Sequence, residues 1–246
     1  MTNLTEPSVF NFDAIAIVHS PYKQKFAIPR QPGLVTAAHG KIELLADYNN
    51  IELVRDLEQH SHLWVIFVFH ATLEQGWKPL VKAPRLGGNK KTGVLATRST
   101  FRPNPIGMSV VKLENITKQD GKIYINISGL DLLDGTPVLD IKPYIPYSDS
   151  IVSARSEMAS NAPQQDLIVS FNEQARAELE QQKTIHPNLE TFIRQVLAQD
   201  PRPAYKKLND EMQEYGMNLY ELNIRWQVKE SQCSVISISC AKIINQ

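Results

Sequence analysis

A chain of 246 residues, 42% hydrophobic and 21% charged, can bury a sizeable core as one large domain or two ordinary ones, and none of its stretches approaches the roughly 20 apolar residues of a membrane helix. Lysines plus arginines balance aspartates plus glutamates at 26 each, which excludes a globally basic nucleic-acid binder but leaves room for a local positive surface. The start MTNLTEPSVFNFD lacks the basic residues and apolar run of an export signal, and Cys233 and Cys240 have opposite parity in one β-like run, where they cannot pair, so a cytoplasmic protein is expected.

In chain order, AIAIVHS (14–20) and KIELLA (41–46) read as strands. NIELVRDLEQ (50–59) has helical spacing with Asn50 as a cap, which predicts a short helix. HLWVIFVFH (62–70) predicts a central strand, and residues 74–92 a long loop of the kind that carries function. GVLAT (93–97) reads as a short strand leading into ATRSTFRPNPIGMS. Two β-rich runs then flank Asp120-Gly121, a pair favoured in tight hairpins, with Ile123, Ile125 and Ile127 alternating against polar residues. PVLDIKPYIPYSD (137–149) holds one more strand. Beyond the polar, aperiodic stretch 151–165 come a strand at 167–171, helices at 172–182 and 188–199, and a β-hairpin over 219–243. The predicted class is α+β, mainly β: a small N-terminal β-barrel over 1–150, a linker over 151–165, and a smaller α+β domain over 166–246.

Charge is segregated along the chain. Between Glu74 and Glu114 there is no acidic residue but eight basic ones, among them Lys90, Lys91, Arg98 and Arg102. Such a segment can bind phosphate on a neutral protein. The glycine fingerprints of dinucleotide and P-loop sites are absent, which leaves a dinucleotide-binding or doubly wound domain unsupported, and no serine-hydrolase elbow occurs. His60, His62 and His70 have no companion cysteine or carboxylate cluster, so no metal is expected. Three stiff loops remain: FAIPRQPGL (26–34), ATRSTFRPNPIG (96–107) and SGLDLLDGT (128–136). Proline fixes the backbone in the first two, holding nearby groups in place before a ligand arrives.

The segments HSPYKQKFAIPRQPGL (19–34), HLWVIFVFH (62–70), RPNPIGMS (102–109) and LDLLDGTPVLDIKPY (130–144), in that order, resemble the TrmO family (YaeB- or TsaA-like) of bacterial tRNA adenine-N6-methyltransferases. The resemblance runs over nearly the whole chain and includes LAQDPRPAY (197–205). It implies S-adenosylmethionine as methyl donor, a barrel-type catalytic domain and a homodimer with the cofactor near the subunit interface. The implied acceptor is N6 of threonylcarbamoyladenosine beside the anticodon (position 37) of threonine tRNA.

The same resemblance implies that Pro29, Arg30, Gln31, His70, Ala71, Arg98, Met108, Ser128, Gly129, Leu130 and Asp131 surround the cofactor. Arg98 or Arg30 suits its carboxylate, Asp131 or Asp134 its ammonium and ribose hydroxyls, and Leu130, Leu132 and Met108 its adenine. Lys90 and Lys91 would meet RNA phosphates, Arg102 the RNA or a neighbouring subunit, and Asn104 a base edge. Lys206 and Lys207, with Arg202, are further candidates for tRNA. His70, Asp131, Asp134 and Tyr144 are all chemically able to take the N6 proton, and the sequence does not choose a catalytic base among them. A non-enzymatic RNA-binding barrel is the alternative, distinguishable because it would ignore S-adenosylmethionine.

Overall fold

The computed structural model describes residues 9–82, 91–161, 163, 167–202 and 211–241. Its strands are β1 (Ala16–His19), β2 (His39–Leu44), β3 (His62–Val68), β4 (Leu80–Lys82), β5 (Lys91–Gly93), β6 (Ile106–Gln119), β7 (Lys122–Ser128), β8 (Pro137–Pro143), β9 (Ile168–Phe171), β10 (Gln213–Leu219), β11 (Leu222–Lys229) and β12 (Gln232–Cys240). Among the described residues three α-helices accompany them: α1 (Pro146–Asp149), α2 (Glu173–Gln182) and α3 (Leu189–Ala198).

Six strands close into a barrel in the order β1-β2-β7-β6-β3-β8, with every neighbouring pair antiparallel. Alternation decides which side chains fill it. Ile123, Ile125 and Ile127 of β7 are each 1% exposed, and Leu63, Val65 and Phe67 of β3 point the same way. Each such apolar side chain contributes about 1.5–3 kcal/mol on burial. The β6–β7 hairpin turns at Asp120 and Gly121, with φ of 51° and 79°, the two positive values that a tight twisted turn requires.

The second sheet runs β10-β11-β12-β9, with β9 parallel to β12 and the rest antiparallel. Helix α3 buries Leu189, Phe192, Ile193, Val196 and Leu197, a stripe at helical spacing, and α2 starts from Asn172, whose side chain accepts the Ala175 amide at 2.8 Å. One hydrophobic cluster runs from the barrel interior through Tyr22 into this sheet. Residues 151–157 are exposed, and 157–159 form one 3-10 turn. No described helix is long and apolar enough to cross a membrane.

Three local expectations need correction. Residues 50–59 form two 3-10 turns, Ile51–Val54 and Leu57–Gln59, because Asp56 between them adopts φ 63°. Asn50 still caps the first, accepting from the Glu52 amide. The run 93–97 is mostly a 3-10 turn over Val94–Ala96, and the preceding strand β5 pairs with β4 inside the expected loop. β10 escaped notice because QEYGMNL mixes a glycine with polar residues.

Candidate active site

A cavity of about 450 Å³ opens at one mouth of the barrel, a volume suited to a nucleoside-sized ligand. Four parts of the chain converge on it: the β1–β2 connection (Lys25, Ile28, Arg30, Gln31), the end of β3 with the 70–75 turn, the 97–102 loop with the start of β6, and the turn after β7. Gly107 makes the third of these possible. A Cβ there would lie 2.3 Å from the Phe67 ring and 2.9 Å from Phe69, so only glycine lets these edge-to-face rings floor the site. Gly129 serves the fourth: with φ 70° it donates its amide to Ala38 and accepts from Gly33, stitching the turn after β7 to the β1–β2 connection.

The polar centre of the cavity is Asp131. Its Oδ1 is buried without a hydrogen-bond partner. Burial pushes its carboxyl up to about 6, against smaller opposing contributions from the Ser109 hydroxyl, its own backbone amide and the Arg98 guanidinium. A buried carboxylate oxygen without a partner is costly unless a ligand donor meets it. Arg98 stands at the rim, donating to Gln31 Oε1 at 2.6 Å, while Lys25 reaches across to the Ala71 carbonyl at 2.9 Å. The result is an apolar slot with an acid at its base and a guanidinium and an ammonium at its edge.

Comparisons with known proteins agree along the chain. The model of the tRNA-methyltransferase O N-terminal domain matches residues 17–150, and that of the TrmO C-terminal domain matches 164–241. The chain belongs to the TrmO family. It is 48% identical to the tRNA (adenine(37)-N6)-methyltransferase of Escherichia coli, over 94% of this chain and 98% of that protein. It is 47% identical to a putative S-adenosylmethionine-dependent methyltransferase of Pseudomonas aeruginosa, over 86% and 90%. The crystal structure of TrmO from Pseudomonas aeruginosa superposes with a TM-score of 0.78 at 38% identity, covering 94% of this chain and 99% of that one.

The residues that the TrmO resemblance placed around the cofactor divide into two groups. Arg30, Gln31, His70, Ala71, Arg98, Met108 and Asp131 line the cavity. Pro29, Ser128, Gly129 and Leu130 do not. Pro29 is buried behind the segment, the Ser128 hydroxyl donates to Glu114, and Leu130 is a core residue whose methyls pack over Gly40. These four shape the backbone rather than the walls.

Among the RNA candidates, Arg102 lines the cavity but is braced on the Thr97 and Ser99 carbonyls of its own loop. Asn104 is exposed beside it and outside the lining. Lys91 is exposed on β5, while Lys90, Lys206 and Lys207 lie outside the described residues. Arg202 is held in a nearly buried ion pair with Asp200 at 2.7 Å and is not available to phosphate.

Two of the four proton-acceptor candidates leave the site. Asp134 accepts the Ser20 amide and pairs with Lys23, and Tyr144 packs against His62 and Trp64 at the far end of β3. Asp131 and His70 remain. Phe69, at the end of the strand expected there, lines the cavity as well, and so do Ser109 and Thr136, which sequence reasoning missed. Ser109 had a signal: it is the polar member of the inward row Gly107, Ser109, Val111 and Leu113 on β6.

Proposed function

We propose that this TrmO-family enzyme methylates N6 of adenosine 37 in tRNA, using S-adenosylmethionine held in the barrel-mouth cavity. The acceptor would be threonylcarbamoyladenosine in threonine tRNA. The observation that carries the reading is the buried, unpartnered Asp131 oxygen at the base of an apolar slot edged by Arg98, inside a domain matched by the TrmO family model. The bound cofactor would supply an electrophilic methyl group. Arg98 and Arg30 suit its carboxylate, Asp131 its ammonium or ribose hydroxyls, and Ile28, Leu132 and Met108 its adenine.

Methyl transfer is an in-line displacement, so the chain's main contribution is to align donor and nucleophile. The stiff Pro103-Asn104-Pro105 loop serves that end. It is fixed to β3 where the Phe69 amide donates to the Pro105 carbonyl at 2.8 Å. His70 lies beside that junction and is positioned to accept the N6 proton if the base enters along the β3 end.

Lys82 and Lys91 face each other across the β4–β5 ribbon. Like charges directly opposite destabilise a ribbon, and an RNA phosphate between them would relieve this. Ile106 and Met108 line the cavity and are exposed, and Phe26 and Leu95 are exposed close in sequence to lining residues Lys25 and Thr97, which supports a homodimer closing over the cofactor. The enzyme would work in the cytoplasm, where its tRNA is, with a catalytic unit over 1–150, a linker over 151–165 and a second unit over 166–246.

The test is mass spectrometry of nucleosides from threonine tRNA in cells with and without the gene. Loss of the N6-methylated threonylcarbamoyladenosine peak on deletion is expected. An unchanged peak refutes the substrate. Failure of the purified protein to bind S-adenosylmethionine, alone or with tRNA, refutes the site.

A further inference from the structure

The β1–β2 connection brings Lys25, Ile28, Arg30 and Gln31 to the cavity, yet it runs from Ser20 to Ala38 with only one short 3-10 turn of its own. Such a segment is held by whatever its ends are tied to. The barrel supplies some ties, at Gly129 and through the Asp134 amide to the Tyr22 carbonyl. The second unit supplies the others, at both ends. Near the start, the Tyr220 amide donates to the Pro21 carbonyl at 2.8 Å, Tyr22 bridges to Leu219, and the fully buried Tyr22 ring packs on Phe192 of α3 at 5.7 Å.

At the other end α3 takes hold through one face. Gln195 accepts the Ala37 amide at 2.9 Å and donates to Thr36 Oγ1 at 3.0 Å, and one turn later Gln199 donates to the Leu34 carbonyl at 3.4 Å. A carboxamide, with its oxygen and its NH2 side by side, can accept from one group while it donates to that group's neighbour. Residues 25–31 lie between these two anchor points, with side-chain ties of their own from Lys25 to the Ala71 carbonyl and from Arg98 to Gln31. Tyr22 is also close enough to Asp131 for the negative carboxylate to add to burial in raising its hydroxyl pKa.

We infer that Gln195 and Gln199 are positioning residues for cofactor binding: α3 of the second unit holds the cavity-lining segment 25–31 in its binding conformation. The inference rests on the cavity being the S-adenosylmethionine site. It gives the second unit a part in cofactor affinity separate from any contact with tRNA.

The test uses the full chain with the double substitution Gln195→Met and Gln199→Met, which keeps side-chain length and removes the hydrogen bonds. Calorimetry should show S-adenosylmethionine binding five- to twentyfold weaker, with KM for the cofactor rising and kcat at saturating cofactor within twofold. Affinity for tRNA should stay within twofold. Gln195→Glu, which keeps the acceptor for Ala37, should recover part of the loss. Ile224→Val, in the core of the second sheet and without a hydrogen bond to the segment from its side chain, serves as the stability control.

Two results overturn the inference: cofactor affinity within twofold of wild type in the double variant, or an equal loss in Ile224→Val at a matched fall in melting temperature. Arg98→Ala is measured in parallel. If it weakens binding and the glutamine pair does not, only the positioning role fails. If neither does, the cavity assignment fails as well.

Discussion

Asp131→Asn tests the cavity most directly. In the free protein the carboxyl is raised from 3.8 to about 6, chiefly by burial. Near pH 4 the unfolded chain begins to release this proton while the folded chain keeps it. Between about 4 and 6 the unfolded state therefore binds fewer protons, and stability falls as pH rises. A shift of this size corresponds to roughly 3 kcal/mol, lost across that window and constant above it. Asparagine does not titrate and escapes the loss. Urea unfolding of both proteins at pH 4.5 and pH 7.5 should thus show the variant gaining on wild type at the higher pH by about 1–3 kcal/mol. The same substitution removes the negative charge expected to meet the cofactor, so S-adenosylmethionine should bind at least about tenfold more weakly, consistent with a charged hydrogen bond of about 1.5–3 kcal/mol. A difference between the two proteins that does not change with pH would refute the buried titration. Unaltered cofactor affinity would refute the assignment of Asp131 to the ligand.

Gly107→Ala places a methyl against Phe67 and should cost about 1–3 kcal/mol, lowering the melting temperature and weakening cofactor binding; an unchanged melting curve would show that the ring shifts freely. Lys91→Ala should reduce tRNA affinity and flatten its salt dependence by about 0.7–0.9 in log–log slope, leaving cofactor affinity intact; filter binding over a salt series reads both. Cys233 is buried and its thiol pushed up to about 12 by burial, whereas Cys240 is exposed. A thiol reagent should therefore modify one cysteine per native chain and both after unfolding; two fast-reacting thiols in the native protein would contradict the packing of β12.

Elements whose side chains alternate cleanly could be read from the sequence. The isoleucines of β7, the Asp120-Gly121 turn and the Asn172 cap all declare themselves locally, and the structure places each as expected. Position 56 could not be read, because an aspartate in the left-handed region leaves the helical spacing around it intact while breaking the helix. The closing order of the barrel was likewise hidden, since β1 joins β8 through only two register pairs, which leave no mark on either strand.

The cavity shows the same division. Charged and proline-braced residues such as Arg98 and Arg30 stand out in a sequence, and both line the site. Contributions that depend on a neighbour do not: Gly107 matters because of Phe67, Ser109 because of Asp131, and Gln195 because of a backbone amide 158 residues away. Ser128, Gly129 and Leu130 sit beside Asp131 in sequence, but they turn into the barrel wall and core. Adjacency along the chain is a poor guide to which residues share a cavity.

The separation between the 21–37 segment and its anchors also orders events in time. At about 5–20 residues per second, the ribosome makes residue 195 on the order of ten seconds after residue 37. During that interval the barrel strands are available to pair, but the connection carrying Arg30 and Gln31 lacks the α3 and β10–β11 contacts that grip its ends. A nascent chain therefore passes through a stage with its barrel sequence complete and these tethers unmade. Contacts so distant in sequence close slowly, which makes the docking of α3 a natural last step in maturation.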